Sequence, residues 1–414
     1  MVDEPLPNRT IGRLLTDRTF GALFWGKLLT SFGVFIHSIV AAVVVFEATG
    51  SAAAVALVTV AQFGPQLALT PLTGRWADTG SPTFQILLGR ICCVVGSASV
   101  AVWLLLDDQL RGWAVAVPVL VGSLLVGIGF SIGGPAMQSI VPAIVTPEEL
   151  PRAMTLNTLP MMVARIAGPA VGAIVATRIG PAPAFASSAA THAVFALFVL
   201  VARFPPPEAP PPRSDRRVWA AVRHLRNDRV LGLALLAVTI LGFGSDPSIT
   251  LAPALSSLLT GDVALVGPLT FAFGCGAAAG LLVLLLALRW LEQRTLSLAG
   301  LVLLAAGLAG AGLARHELVA VVAFVVAGCG FGVGMASLST HIQQRAPVHL
   351  RGRVMALWMV GFVGSRPLAS VSLGLVTDAW SVRAGLIIAG VLVGGAAIAF
   401  AAGTRHEPDV GLAG

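Results

Sequence analysis

The chain has 414 residues, 56% hydrophobic and only 11% charged, with a formal charge of +7 and no Tyr. A soluble globular protein carries about 25% charged residues, so a soluble fold is excluded. Apolar stretches long enough to span a bilayer recur along the whole chain, since ~20 residues at ~1.5 Å each cross a hydrocarbon core of ~30 Å.

Residues 1–19 form a polar N-terminal segment. Six spans follow at about 20–46, 51–72, 83–106, 113–139, 153–177 and 183–202, and six more at about 231–255, 267–289, 296–314, 318–339, 354–376 and 384–403. The first is too long for a cleavable signal and has no small-residue cleavage site, so it reads as retained. The spacing predicts an N-terminal six-helix bundle (20–202), a linker (203–230), a C-terminal six-helix bundle (231–403) and a tail (404–414). An even number of spans puts both termini on one side. Most arginines at span ends lie on that side, Arg9, Arg13, Arg18, Arg90, Arg152 and Arg345 among them; Arg111, Arg178, Arg315 and Arg383 fall on the other. Basic residues are retained on the cytoplasmic face, so both termini are expected there. The linker opens with the proline run "RFPPPEAPPP", an extended spacer. Residues 216–229 interleave Arg with Val218, Trp219, Val222 and Leu225 and predict an amphipathic helix on the anionic inner leaflet. This basic patterning gives the positive charge a membrane partner and not a nucleic acid.

The halves repeat. Gly127, Gly129, Phe130 and Gly133 of the fourth span match Gly328, Gly330, Phe331 and Gly334 of the tenth at a constant offset of 201. "ARIAGPAVG" in span five then faces "VGSRPLASV" in span eleven, with Pro169 against Pro367. Six spans followed by a same-orientation copy is the plan of a two-bundle transporter.

"HLRGRVMALW" before span eleven, "GPAMQSIVPAIVTPEEL" after span four and "TGSAAAVALV" at the start of span two are the most specific motifs. Through them the chain resembles the major facilitator superfamily, and within it the bacterial drug, macrolide and siderophore exporters. "GRWADTGS" is similar to that superfamily's loop between spans two and three, although Thr79 and Ser81 to Thr83 stand where cations are usual. The resemblance implies a conformational gate at Gly74, Asp78, Gly80, Arg351 and Arg353, and an antiporter-type Gly-Pro motif at Gly168, Pro169 and Gly172.

Polar groups inside the spans are the functional candidates, because a charge in hydrocarbon is costly unless it meets a partner or a watery cavity. Arg165 lies near the middle of span five, and Gly168 and Gly172 give that span a smooth face toward the other bundle. Arg366, next to Pro367, holds the related place in span eleven and joins the gate. Asp246 in "LGFGSDPSIT" sits in a helix interrupted by Gly and Pro, the setting in which transporters expose backbone and bind ions. His37 in span one stands where related exporters often carry an acid nearby. Asp246 and Glu47 are the proton-coupling candidates. Arg165, His37, Asp246, Phe130, Met161, Phe331 and Trp358 are expected to line a substrate cavity. Lys27 reads as a snorkelling side chain and His192 as a packed one. Cys92, Cys93, Cys275 and Cys329 read as small hydrophobes.

The expectation is an all-α transporter of the bacterial inner membrane, acting as a monomer. It would exchange lipophilic or amphipathic small molecules for protons by alternating access. No Walker-type loop is present, so the proton gradient is the expected energy source, with no cofactor and no metal. Import of a nutrient on the same fold is the alternative, and a lipid-modifying membrane enzyme a more distant one.

Overall fold

The computed structural model describes residues 9–106, 111–202, 204, 228–287, 290–347 and 350–404, without the side chains at 70, 71, 75, 78, 79, 351 and 352. Most of the predicted amphipathic helix at 216–229 lies outside these residues.

The regular structure of the described residues is entirely helical. The first half holds α1 (Ile11–Thr16), α2 (Phe20–Thr49), α3 (Ala52–Thr79), α4 (Pro82–Leu106), α5 (Trp113–Ser139), a 3-10 turn (Val141–Ala143), α6 (Leu150–Arg178) and α7 (Pro181–Ala202). The second holds α8 (Arg229–Ser245), α9 (Pro247–Thr250), α10 (Ala252–Thr260), α11 (Val266–Ala287), α12 (Gln293–Leu313), α13 (Glu317–Arg345), α14 (Arg351–Ala379) and α15 (Val382–Gly403). Among the described residues, twelve helices are long and apolar enough to cross a membrane.

Local chemistry sets the ends. Gly50 closes α2 in the left-handed region at φ 66°, where a side chain would strain the backbone. The next residue, Ser51, accepts from Ala54 N at 3.0 Å and starts α3. Asp228 caps α8 through Leu231 N at 3.0 Å and binds Arg345 Nε at 2.8 Å.

The chain divides into two compact units, Met1–Arg213 and Ser214–Gly414. In the first, α2 packs against α3, α5, α6 and α7; in the second, α8 packs against α12, α13, α14 and α15. The matched glycines do the same work in both. A Cβ at Gly127 would stand 2.4 Å from Gln62 O of α3, and one at Gly129 2.3 Å from Gly89 O of α4. At Gly328 it would stand 2.0 Å from Phe273 O of α11, and at Gly330 2.2 Å from Leu304 N of α12. Each unit is therefore drawn together around a glycine ridge whose partners are backbone atoms. Hydrocarbon gives apolar helices no solvent-driven reason to associate, so close van der Waals contact at small residues holds them instead.

Candidate functional site

In the second unit Asp246 and Arg366 come together. Gly242 on α8 and Gly361 on α14 let these helices touch: a Cβ at Gly242 would meet Phe362 O at 2.5 Å, and one at Gly361 Thr239 Oγ1 at 2.4 Å. One turn further on, Asp246 Oδ1 faces Arg366 Nε at 3.8 Å, with Asp246 fully buried and Arg366 6% exposed. Thr250 donates to Asp246 Oδ2 at 2.7 Å and its hydroxyl also lies 3.0 Å from Ser370 Oγ. The helix interruption expected here is mild. Asp246 keeps right-handed helical angles, and Pro247, lacking an N–H, leaves Phe243 O to accept from Asp246 N at 3.3 Å.

An aromatic run lies beside this pair. Phe273, Phe331 and Phe362 succeed one another with centroids 5.6 Å and 6.2 Å apart, and Trp358 stacks on Phe362 at 5.5 Å and 17°. The backbone oxygen of Phe362 is the one against which Gly242 packs, so this ring column and the ion pair share the α8–α14 seam.

The interior of the first unit carries cations. Arg90 is fully buried in α4, where it donates to Thr30 Oγ1 and to Gly129 O and lies 5.8 Å above the Phe195 ring. Thr30 Oγ1 also pairs with His192 Nδ1 at 2.6 Å. Lys27 is 6% exposed, and its Nζ donates to Asn157 O and Oδ1, each at 2.9 Å. The snorkelling reading is thus corrected: a partner on α6 holds the ammonium inside the unit. Arg90, which sequence assigned to a cytoplasmic span end, is likewise an interior residue.

Other expectations are also revised. His37 is fully buried, with Nδ1 and Nε2 each 3.0 Å from a serine, Ser97 and Ser123, and its ring on Phe185. Tight packing, not a water-lined cavity, surrounds it. Gly168 and Gly172 pack within their own unit: a Cβ would meet Phe35 Cβ at 2.7 Å and Ile39 Cγ2 at 2.8 Å. Phe130 belongs to a cluster with Val34, Cys93 and Val126. Pro169 is buried, Arg165, Met161, Arg353 and Gly80 are half-buried, and Glu47 is exposed at the end of α2. A Cβ at Gly74 would meet nothing within 4 Å. The side chains of Asp78 and Arg351 lie outside the described residues. Among the described residues no group of three or more potential metal ligands occurs.

The sequence singled out neither the Thr250–Ser370 contact nor the Lys27–Asn157 pair. Their members sit at helical spacing from recognised residues, Thr250 four after Asp246, Ser370 four after Arg366 and Asn157 four before Met161.

On the α5–α6 connection, Glu149 is bound by Arg9. Nε and Nη2 reach the two carboxylate oxygens at 2.9 Å and 2.7 Å, the Arg9 amide adds 2.7 Å, and Nη1 reaches Asp17 at 3.0 Å. Hydrogen bonding to Arg9 pulls the Glu149 carboxyl down to about 2.

Twelve apolar helices in two glycine-seamed units, with an ionisable pair buried in the spans of the second, are the build of a membrane transporter of the major facilitator type. Solved structures of that kind align over nearly the whole chain. They include a bacterial homologue of the human lysosomal transporter Spinster (TM-score 0.74, 15% identity, 97% of this chain and 98% of that one). A bacterial homologue of the iron transporter ferroportin aligns with TM-score 0.74 and 14% identity over 95% and 99%. A D-xylose-proton symporter aligns with TM-score 0.70 and 15% identity over 92% and 95%. No curated protein matches in sequence. The family match spans residues 14–407, and the chain belongs to the transmembrane secretion effector family of the major facilitator superfamily.

Proposed function

We propose that the chain is a secondary active exporter that exchanges protons for lipophilic or amphipathic small molecules of the drug, macrolide or siderophore type. It would work by alternating access in a bacterial inner membrane, as a monomer with both termini in the cytoplasm. The observation that carries this reading is the buried Asp246–Arg366 pair, tied to Thr250 and adjoining the aromatic run. A proton delivered to Asp246 neutralises the carboxylate, removes the attraction on Arg366 and frees the α8–α14 seam to rearrange. Losing the proton restores the pair. The aromatic rings offer flat apolar surface for substrate.

The test is transport in everted vesicles with an imposed pH gradient. Wild-type protein accumulates a lipophilic dye when the lumen is acidic, and a protonophore abolishes this. Asp246→Asn loses gradient-driven movement and keeps dye binding. Unchanged driven transport in that variant removes Asp246 from the mechanism, and uptake in the opposite sense establishes an importer.

A further inference from the structure

We propose that Lys27, Ser31 and Asn157 form a docking point for the anionic group of an amphipathic organic acid, which makes organic anions the substrate class. This rests on the transporter reading above. An ammonium has three N–H donors. Two of those on Lys27 go to Asn157, and the third has no acceptor among the described residues. Ser31 lies one turn further along α2. Lys27 meets α6 at Asn157, and Phe35 meets it at Gly168. Residues spaced by four share a helix face, so Ser31 lies on the same seam between them. Ser31 is 1% exposed, and its hydroxyl has no hydrogen-bond partner among the described residues.

Among the described residues no carboxylate pairs with Lys27. In α2, α4, α5, α6 and α7 the one acidic residue is Glu47, about 30 Å along α2 from Lys27. A buried cation held only by neutral oxygens is poorly compensated, so an incoming carboxylate would complete both Lys27 and Ser31. Asn157 Nδ2 donates to Gln138, whose side chain is exposed. A polar line therefore runs from the accessible surface of the unit to the ammonium. Met161, half-buried one turn beyond Asn157 on α6, supplies an apolar wall. Hydroxyl and ammonium donors beside an apolar wall suit an amphipathic anion and repel a cation.

The full chain in phosphatidylcholine nanodiscs is titrated with naphthaleneacetate, its uncharged amide and naphthylethylammonium, read by naphthalene fluorescence. The acid binds tightest of the three. Its affinity falls roughly 10- to 100-fold in Lys27→Met, the span expected for losing a charged hydrogen bond, and is largely kept in Lys27→Arg. Ser31→Ala, which removes only the hydroxyl, lowers it several-fold and carries the test if Lys27→Met does not fold. Lys27 is the only lysine in the chain, so its protection from an amine-acylating reagent by the acid alone is a second readout. Equal affinity for the three probes, or wild-type affinity in Lys27→Met and Ser31→Ala, overturns the proposal. So does protection of Lys27 by phosphatidylglycerol in the disc with the acid inert, which would assign the place to a lipid headgroup. Binding is read without a gradient, so an exporter of cations would pass the proton test and fail this one.

Discussion

Arg9 and Glu149, 140 positions apart, meet through two side-chain contacts of 2.9 Å and 2.7 Å that tie the segment before α2 to the start of α6. The Glu149 side chain is fully enclosed. Its carboxyl titrates at about 2 in the folded chain against an ordinary 4.5. A depressed carboxyl stabilises the fold above the ordinary value, and that contribution is lost as the pH falls toward the folded one. Glu149→Gln should cost on the order of 1–3 kcal/mol at pH 7. The gap from wild type should shrink steadily between about pH 4.5 and pH 2. Thermal unfolding of the detergent-solubilised protein at pH 7, 5 and 3 measures it, and a pH-independent gap would contradict the assignment.

The Asp246–Arg366 pair predicts non-additive effects. Arg366→Met strands a buried carboxylate and should cost about 3–5 kcal/mol, whereas replacing both charges with apolar residues should recover most of that. Unfolding of Arg366→Met and of Arg366→Met with Asp246→Leu tests this. The double variant should be stable yet inactive in gradient-driven transport.

The glycine ridge predicts a contrast. Gly328→Ala forces a methyl onto Phe273 O, a backbone atom that cannot swing aside, at a cost of about 1–3 kcal/mol. Gly74→Ala meets open space and should be neutral or stabilising by up to ~1 kcal/mol, as expected for a helix interior. Loss of transport in Gly74→Ala with unchanged melting would mark a gating role for that glycine.

Thr30 serves both Arg90 and His192. Thr30→Val leaves two buried polar groups wanting and should cost roughly 1–3 kcal/mol. A melting temperature equal to wild type would show that another group takes over.

The spans, and the presence of Asp246 and Arg366 inside them, were legible in the sequence, because hydrocarbon imposes length and apolarity directly and makes interior charges conspicuous. Pairing was not. Asp246 and Arg366 lie on helices far apart in the chain, and only the close approach at Gly242 and Gly361 brings them to one seam. Proximity to a span end misled at Lys27 and Arg90, since sequence depth does not reveal which way a side chain turns. Gly168 and Gly172 misled similarly: a smooth helix face announces a close neighbour without naming it, and that neighbour is α2.

The twin ridges make the units alike in packing, yet their interiors differ electrically. Midway through the second, a guanidinium is answered by a carboxylate; in the first, Arg90 and Lys27 meet only hydroxyl, amide and carbonyl oxygens. A voltage across the bilayer exerts almost no net force on a neutral pair, but acts on an uncompensated charge with ~2.3 kcal/mol per 100 mV for a full crossing. Any displacement of the first interior along the membrane normal is therefore coupled to voltage, whereas movement of the neutral pair in the second is not.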